Sequence, residues 1–138
     1  MTMSALPMDL SSTFVILDRE QMADTITVTE SVWSDLDRQY GDFKGHTLVS
    51  SFSFNDDWPT WEIHPHGDEI VCLISGNVDL ILATNNGEQK VRLDSQGSFA
   101  IVPKNTWHTA RVHAPSTMLF ITPGEGTENR ESPGETGS

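Results

Sequence analysis

The chain is poor in basic side chains, with 8 Lys and Arg against 20 Asp and Glu and a formal net charge of −12 at pH 7. A nucleic-acid surface needs clustered cations to displace phosphate counterions, so this balance argues against one. Cysteine is almost absent: Cys72 stands alone and has no partner within the chain for a disulfide. It lies in an alternating apolar stretch, where it reads as a small core side chain compatible with a reducing compartment. No apolar run approaches the roughly 20 residues of a membrane-spanning helix. The N-terminus has neither the basic start nor the long apolar stretch of a secretory signal, so the expectation is a cytoplasmic protein that makes no membrane contact. A serine nucleophile elbow, a phosphate-binding loop and a dinucleotide-binding turn are also missing, which removes those chemistries.

What remains is dominated by short alternating runs. From Leu48 onward the chain reads as strand and turn: LVSSFSF, WPTWEIH, EIVCLIS, NVDLILA, QKVRLD, SFAIVP, WHTARVH and TMLFIT. Gly76-Asn77 and Asn85-Asn86-Gly87 supply tight turns. Upstream, Phe14 to Leu17 and Thr25 to Val28 read as short strands at an edge or exchanged between two copies. Thr29 to Tyr40 places Trp33, Leu36 and Tyr40 at i, i+3 and i+7, with Thr29 or Ser31 to cap and Gly41 to stop, so one short amphipathic helix is expected there. The sum is an all-β fold, a sandwich or jelly-roll barrel with one N-terminal helix. At 138 residues the chain can bury one core. The expected organisation is a loose N-terminus over 1–12, a single domain over 13–123 and a disordered acidic tail over 124–138, where no large apolar side chain offsets the entropy of ordering.

Metal-ligand side chains concentrate in His64-Pro65-His66-Gly67-Asp68-Glu69 and are answered by His108. Two imidazoles and a carboxylate suit a divalent first-row transition metal and leave coordination positions open. Pro65 to Asp68 reads as the loop of a β-hairpin that makes His64 and Glu69 a cross-strand pair. Asp68 is then a turn residue bonded to its own backbone. Glu62 lies two residues before His64, on the same strand face, together with Thr60 and Trp58. Periodicity leaves His66 open: it is an inward substitute ligand, an acid/base group or a solvated tip residue. It also leaves open whether Phe52 and Phe54 or Ser51 and Ser53 point inward. His46 and His113 read as partly buried hydrogen-bonding residues.

These spacings resemble the cupin family. Glu69-(X)6-Gly76 fits the second half of cupin motif 1, and Gly97-(X)5-Pro103-X-Asn105-(X)2-His108 fits motif 2. Asn105 stands where the family has glycine, and asparagine is the residue that best replaces glycine at positive φ. Val112 replaces a final asparagine that is not a ligand. Counting back from Glu69 places His64 at the second histidine of motif 1 and Glu62 at the first. The resemblance implies a cupin-type double-stranded β-helix holding one divalent metal (Fe, Zn, Mn or Ni) through His64, Glu69 and His108, with Glu62 as a fourth ligand. It also implies a small-molecule substrate, a homodimer, and dioxygenase or isomerase/lyase-like chemistry on an oxygen-chelating compound, with Glu62 and His66 as the acid/base groups. A non-catalytic ligand-binding or sensor cupin is the alternative.

Overall fold

The computed structural model describes residues 7–134. Nine strands and one helix follow in the order β1 Thr13–Leu17, β2 Ala23–Thr27, α1 Val32–Tyr40, β3 Thr47–Phe54, β4 Trp61–Ile63, β5 Glu69–Thr84, β6 Gly87–Leu93, β7 Phe99–Val102, β8 His108–Pro123 and β9 Glu128–Arg130. Two pairs of runs that read as separate strands in the sequence are each continuous: EIVCLIS joins NVDLILA as β5, and WHTARVH joins TMLFIT as β8. These two long strands pair antiparallel and form the spine of the barrel. The first half of β5 also pairs with β7 and the second half with β6, while β8 pairs with β4 at one end and β3 at the other.

The spine bends where its register shifts, between Leu73 and Val78. Gly76 makes that bend possible. Its φ is 107°, and a Cβ there would lie 2.1 Å from Ser116 Oγ and 2.6 Å from Ser116 Cα. Any other residue would be strained and would clash. Ser116 Oγ donates to the Ala114 carbonyl at 2.7 Å and accepts from the Asn77 N–H at 3.0 Å, so it ties the backbone of the bulge across the two strands.

Alternation along the strands fills the barrel. Val71, Leu73, Val78, Leu80, Leu82, Ala110, Met118 and Phe120 form its main core with Leu93 and Val102. A second cluster, Phe14, Ile16, Ile26, Val32, Leu36 and Leu48, seals α1 and the β1–β2 hairpin onto β3. The helix starts three residues later than Thr29, with Ser31 as its N-cap, and ends at Gly41, whose φ is 60°. It buries Val32 and Leu36 rather than the expected Trp33, Leu36 and Tyr40 stripe. Trp33 remains 57% exposed.

Residues 124–134 correct the expectation of a disordered tail. Here β9 pairs with β4 in the register Trp61–Arg130, Glu62–Asn129 and Ile63–Glu128. Backbone pairing holds this segment, which is why its polar side chains gave no sign of it. The Arg130 guanidinium also lies over the Trp107 ring, 5.3 Å from its centroid. Residues 135–138 of that expected tail, and residues 1–6 of the expected loose N-terminus, lie outside the described residues.

Candidate metal centre

The hairpin expected at residues 64–69 does not form. β4 pairs with β8 and β9, not with β5, so residues 64–68 are a corner that carries the chain from one set of strands to another. The turn over 103–106 clamps the corner. Asn105 N–H donates to the His64 carbonyl at 2.9 Å, and Lys104 N–H donates to Asp68 Oδ1 at 2.7 Å. Asp68 is thus a bracket between two turns rather than a group bonded to its own backbone. Asn105 has φ 63°, the positive value its place in the motif requires. The cross-strand pair of the site is Glu62 with His108, and His64 and Glu69 reach them around the corner.

Four side chains meet: the ligand atoms of Glu62, His64, Glu69 and His108 all lie within 4.8 Å of one another. His64, Glu69 and His108 are buried, at 4%, 2% and 0% exposure, while Glu62 is partly open to the cavity. His108 Nε2 is 3.0 Å from Glu69 Oε1, and His64 Nε2 is 3.3 Å from Glu69 Oε2 and 3.5 Å from Glu62 Oε1. These separations are short, yet His64 Nε2, Glu69 Oε1 and His108 Nε2 have no aligned hydrogen-bond partner. An orphaned buried polar atom costs about 1–3 kcal/mol, so three around one point are a strong demand for a ligand. Donors about 2.1 Å from one metal are about 3.0 Å apart in an octahedron and about 3.4 Å apart in a tetrahedron. The residues present fit a metal ion.

The far side of each ligand is held as well. His108 Nδ1 donates to the Thr106 carbonyl at 3.1 Å, which fixes the tautomer with its Nε2 lone pair toward the cluster. His64 Nδ1 is bonded to Thr127 Oγ1 at 2.8 Å, and Thr122 Oγ1 donates to Glu69 Oε2 at 2.6 Å. Such outer contacts orient ligands and tune their basicity. Electrostatics agree with a cation site. Burial disfavours the His64 imidazolium, but the flanking Glu62 and Glu69 carboxylates outweigh it and raise the pKa to about 9. Burial likewise works against the Glu69 carboxylate, but His108 and His64 hold its pKa down to about 2. The cluster therefore attracts positive charge.

Above the cluster lies a cavity of about 710 Å³. Trp58, Thr60, Glu62 and His64 line it on one side, as their shared strand face required. On β3 the choice left open falls to Phe52 and Phe54, which line the cavity with Ser50. His66 is not brought to the site: it is half exposed, and its Nε2 faces Glu125 Oε2 at 3.8 Å on the outside. His113 bonds Asp79 at 2.7 Å, and His46 Nδ1 bonds the Lys44 carbonyl at 3.0 Å, as expected of structural histidines. Sequence reasoning missed Thr122 and Thr127. Thr122 shares the inward phase of Met118 and Phe120 and was within reach of an alternation argument, whereas Thr127 was not.

No family model and no curated protein matches the chain. Solved structures do. An uncharacterised protein with a double-stranded β-helix domain from Klebsiella pneumoniae subsp. pneumoniae MGH 78578 is 21% identical, with 62% of this chain aligned to 76% of that one at a TM-score of 0.51. A structure of oxalate oxidase is 15% identical, with 59% of this chain aligned to 44% of that one at 0.50. A cupin-2 domain protein from Shewanella frigidimarina NCIMB 400 is 15% identical over 61% and 71% at 0.46. The protein has the double-stranded β-helix fold. No helix among the described residues is long and apolar enough to cross a membrane.

Proposed function

We propose that the protein is a metal-dependent enzyme acting on a small molecule that chelates through adjacent oxygens, with dioxygenase or isomerase/lyase-like chemistry. The observation that carries this reading is the convergence of Glu62, His64, Glu69 and His108 with three buried atoms left unpartnered beneath an open cavity. His64, Glu69 and His108 are the ligands, and Glu62 is the fourth. A divalent metal held there supplies Lewis acidity toward substrate oxygens. Glu62, at the cavity wall, is the group placed to hold or move a proton at the substrate. Phe52, Phe54, Trp58 and Phe120 give the cavity an apolar wall against which a substrate can pack. His66, on the outside, has no part in this reading.

Metal analysis of the purified protein, followed by anaerobic loading with ferrous iron and a screen for dioxygen uptake, tests the proposal. Retention of about one metal per chain with consumption of a chelating hydroxy- or keto-compound is expected. Failure to retain any divalent metal would overturn it, and binding without turnover would leave a non-catalytic ligand-binding protein.

A further inference from the structure

The wall of the cavity has a charge and a shape that the metal ligands do not require. Four acidic side chains line it and no lysine or arginine does: besides Glu62 and Glu69, Asp37 and Asp42 stand exposed at the rim. None of the eight Lys and Arg residues lines the cavity. Arg38 pairs with Asp35, Arg92 with Asp79 and Arg130 with Glu128, while Arg19 packs against Gly45. Arg111 lies between the inward-facing His108, Ala110 and Val112 in the alternation of β8 and therefore points outward. A dication on the cluster offsets Glu62 and Glu69. Asp37 and Asp42 then leave the entrance negative, in a chain whose net charge is −12. An anion entering would meet repulsion and find no guanidinium or ammonium to pair with.

The shape comes from a chain of rings. Trp33, exposed at the rim, stacks on Phe52 with centroids 5.7 Å apart and planes at 16°. Phe52 meets Phe120 edge-on at 6.0 Å, Phe120 meets Trp58 at 5.8 Å, and Trp58 meets His108 edge-on at 6.3 Å. Aromatic surface thus runs from solvent to a side chain of the cluster. Ring faces favour flat partners and cations and disfavour anions.

We infer, resting on the metal-centre reading above, that the cavity takes a planar, uncharged or cationic molecule bearing adjacent oxygens and turns anions away, with Asp37 and Asp42 setting the charge preference. Catechol, dopamine and 3,4-dihydroxybenzoate carry the same vicinal oxygens and differ in charge, and zinc keeps the site free of turnover. Titration of the zinc-loaded protein, followed by calorimetry and tryptophan fluorescence, should rank dopamine at or above catechol and about tenfold or more above 3,4-dihydroxybenzoate at low salt. The Asp37→Asn/Asp42→Asn double variant should keep its zinc and narrow that gap to about threefold or less, because only the charge at the rim has changed. Trp33→Ala should weaken all three about fivefold and leave their order intact. Tightest binding by 3,4-dihydroxybenzoate, equal affinity for all three, or no binding of any to zinc-loaded protein would overturn the inference while leaving the metal centre standing. Should the wild type retain no zinc and yet show the same order metal-free, the metal-centre reading fails and the charge rule holds.

Discussion

At the scale of single residues, the four side chains of the cluster are unequal in burial and therefore in what their loss should do. His64→Ala and His108→Ala each remove an enclosed imidazole from an open site with few ligands to spare, so both variants should lose most of their metal on purification. Elemental analysis reads this directly, and wild-type occupancy in both would remove the assignment. Glu62→Gln should weaken metal binding or activity more than His66→Ala, since Glu62 faces the cavity and His66 faces Glu125 outside it. A second residue-scale test lies on the outer face of the barrel. Asp79 is 1% exposed, covered by Arg92 at 2.7 Å and His113 at 2.7 Å rather than sunk in the core. Arg92 is the main cause that holds its pKa down to about 2, against a smaller opposing effect of burial, and His113 adds to it. A carboxylate depressed on folding contributes stability above its unfolded value near 3.8 and loses it as pH falls through about 2. The contribution is at most about 2 kcal/mol, reduced by solvent screening around the half-exposed partners. Urea midpoints of Asp79→Asn should therefore fall below wild type at pH 7 and converge with it between pH 4 and about pH 2. A constant gap across that range would show that Asp79 acts through packing instead. His64, Glu69 and His108 were legible in the sequence because spacing and chemistry coincide there. The partner of Asp79 was not, because an ion pair between β5 and β6 depends on a register that alternation alone does not number.

Elements that build the site divide by how they are held. Strands with an apolar face were legible: β3, β5 and β8 show period-2 alternation, and their inward residues are the core. Elements held by backbone pairing alone were not. The corner at 64–68 carries turn residues that suit a hairpin equally well, and only the pairing of β4 with β8 and β9 distinguishes the two. β9 has no apolar side chain, yet it covers an edge of β4, and the segment leading to it brings Thr127 against His64. Truncation after Pro123 removes that covering, the Arg130–Trp107 contact and the Thr127 bond together. The truncated protein should melt about 5 °C or more below the full chain and bind zinc at least tenfold more weakly. Thr127→Val isolates one part: it should lower zinc affinity by about tenfold with little change in melting temperature, because it frees the imidazole of its outer contact while leaving β9 in place. An unchanged melting temperature and metal content in the truncation would mean that β9 contributes nothing to the folded barrel.

For the whole molecule, the exterior of one sheet is where a second copy is expected to meet it. Strands β1, β3, β8, β5 and β7 lie side by side, and Val15, Val49, Ile121, Ile70 and Ile101 form one cross-strand row on their outer face. Ser51, Leu119, Cys72 and Phe99 form the next. No charge falls in either row, and Phe99 and Ile101 are 59% and 53% exposed. Strands about 4.8 Å apart and two rows about 7 Å apart give an uncharged face of roughly 300 Å², enough for the apolar centre of a standard interface of ~800 Å² per partner. With a net charge of −12, two copies approaching through most other surfaces bring carboxylates together. This uncharged face is where a second copy can bury apolar area without that repulsion, and β2, the edge strand beside β1, extends it. The protein is therefore expected to be a homodimer through this face. Light scattering at micromolar concentration should give twice the 15.3 kDa chain mass. Phe99→Glu/Ile101→Glu should give the chain mass with metal content unchanged, because both side chains point away from the cavity and their replacement adds like charge on each side of the interface. A wild-type monomer, or a double variant that remains dimeric, would exclude this face as the contact.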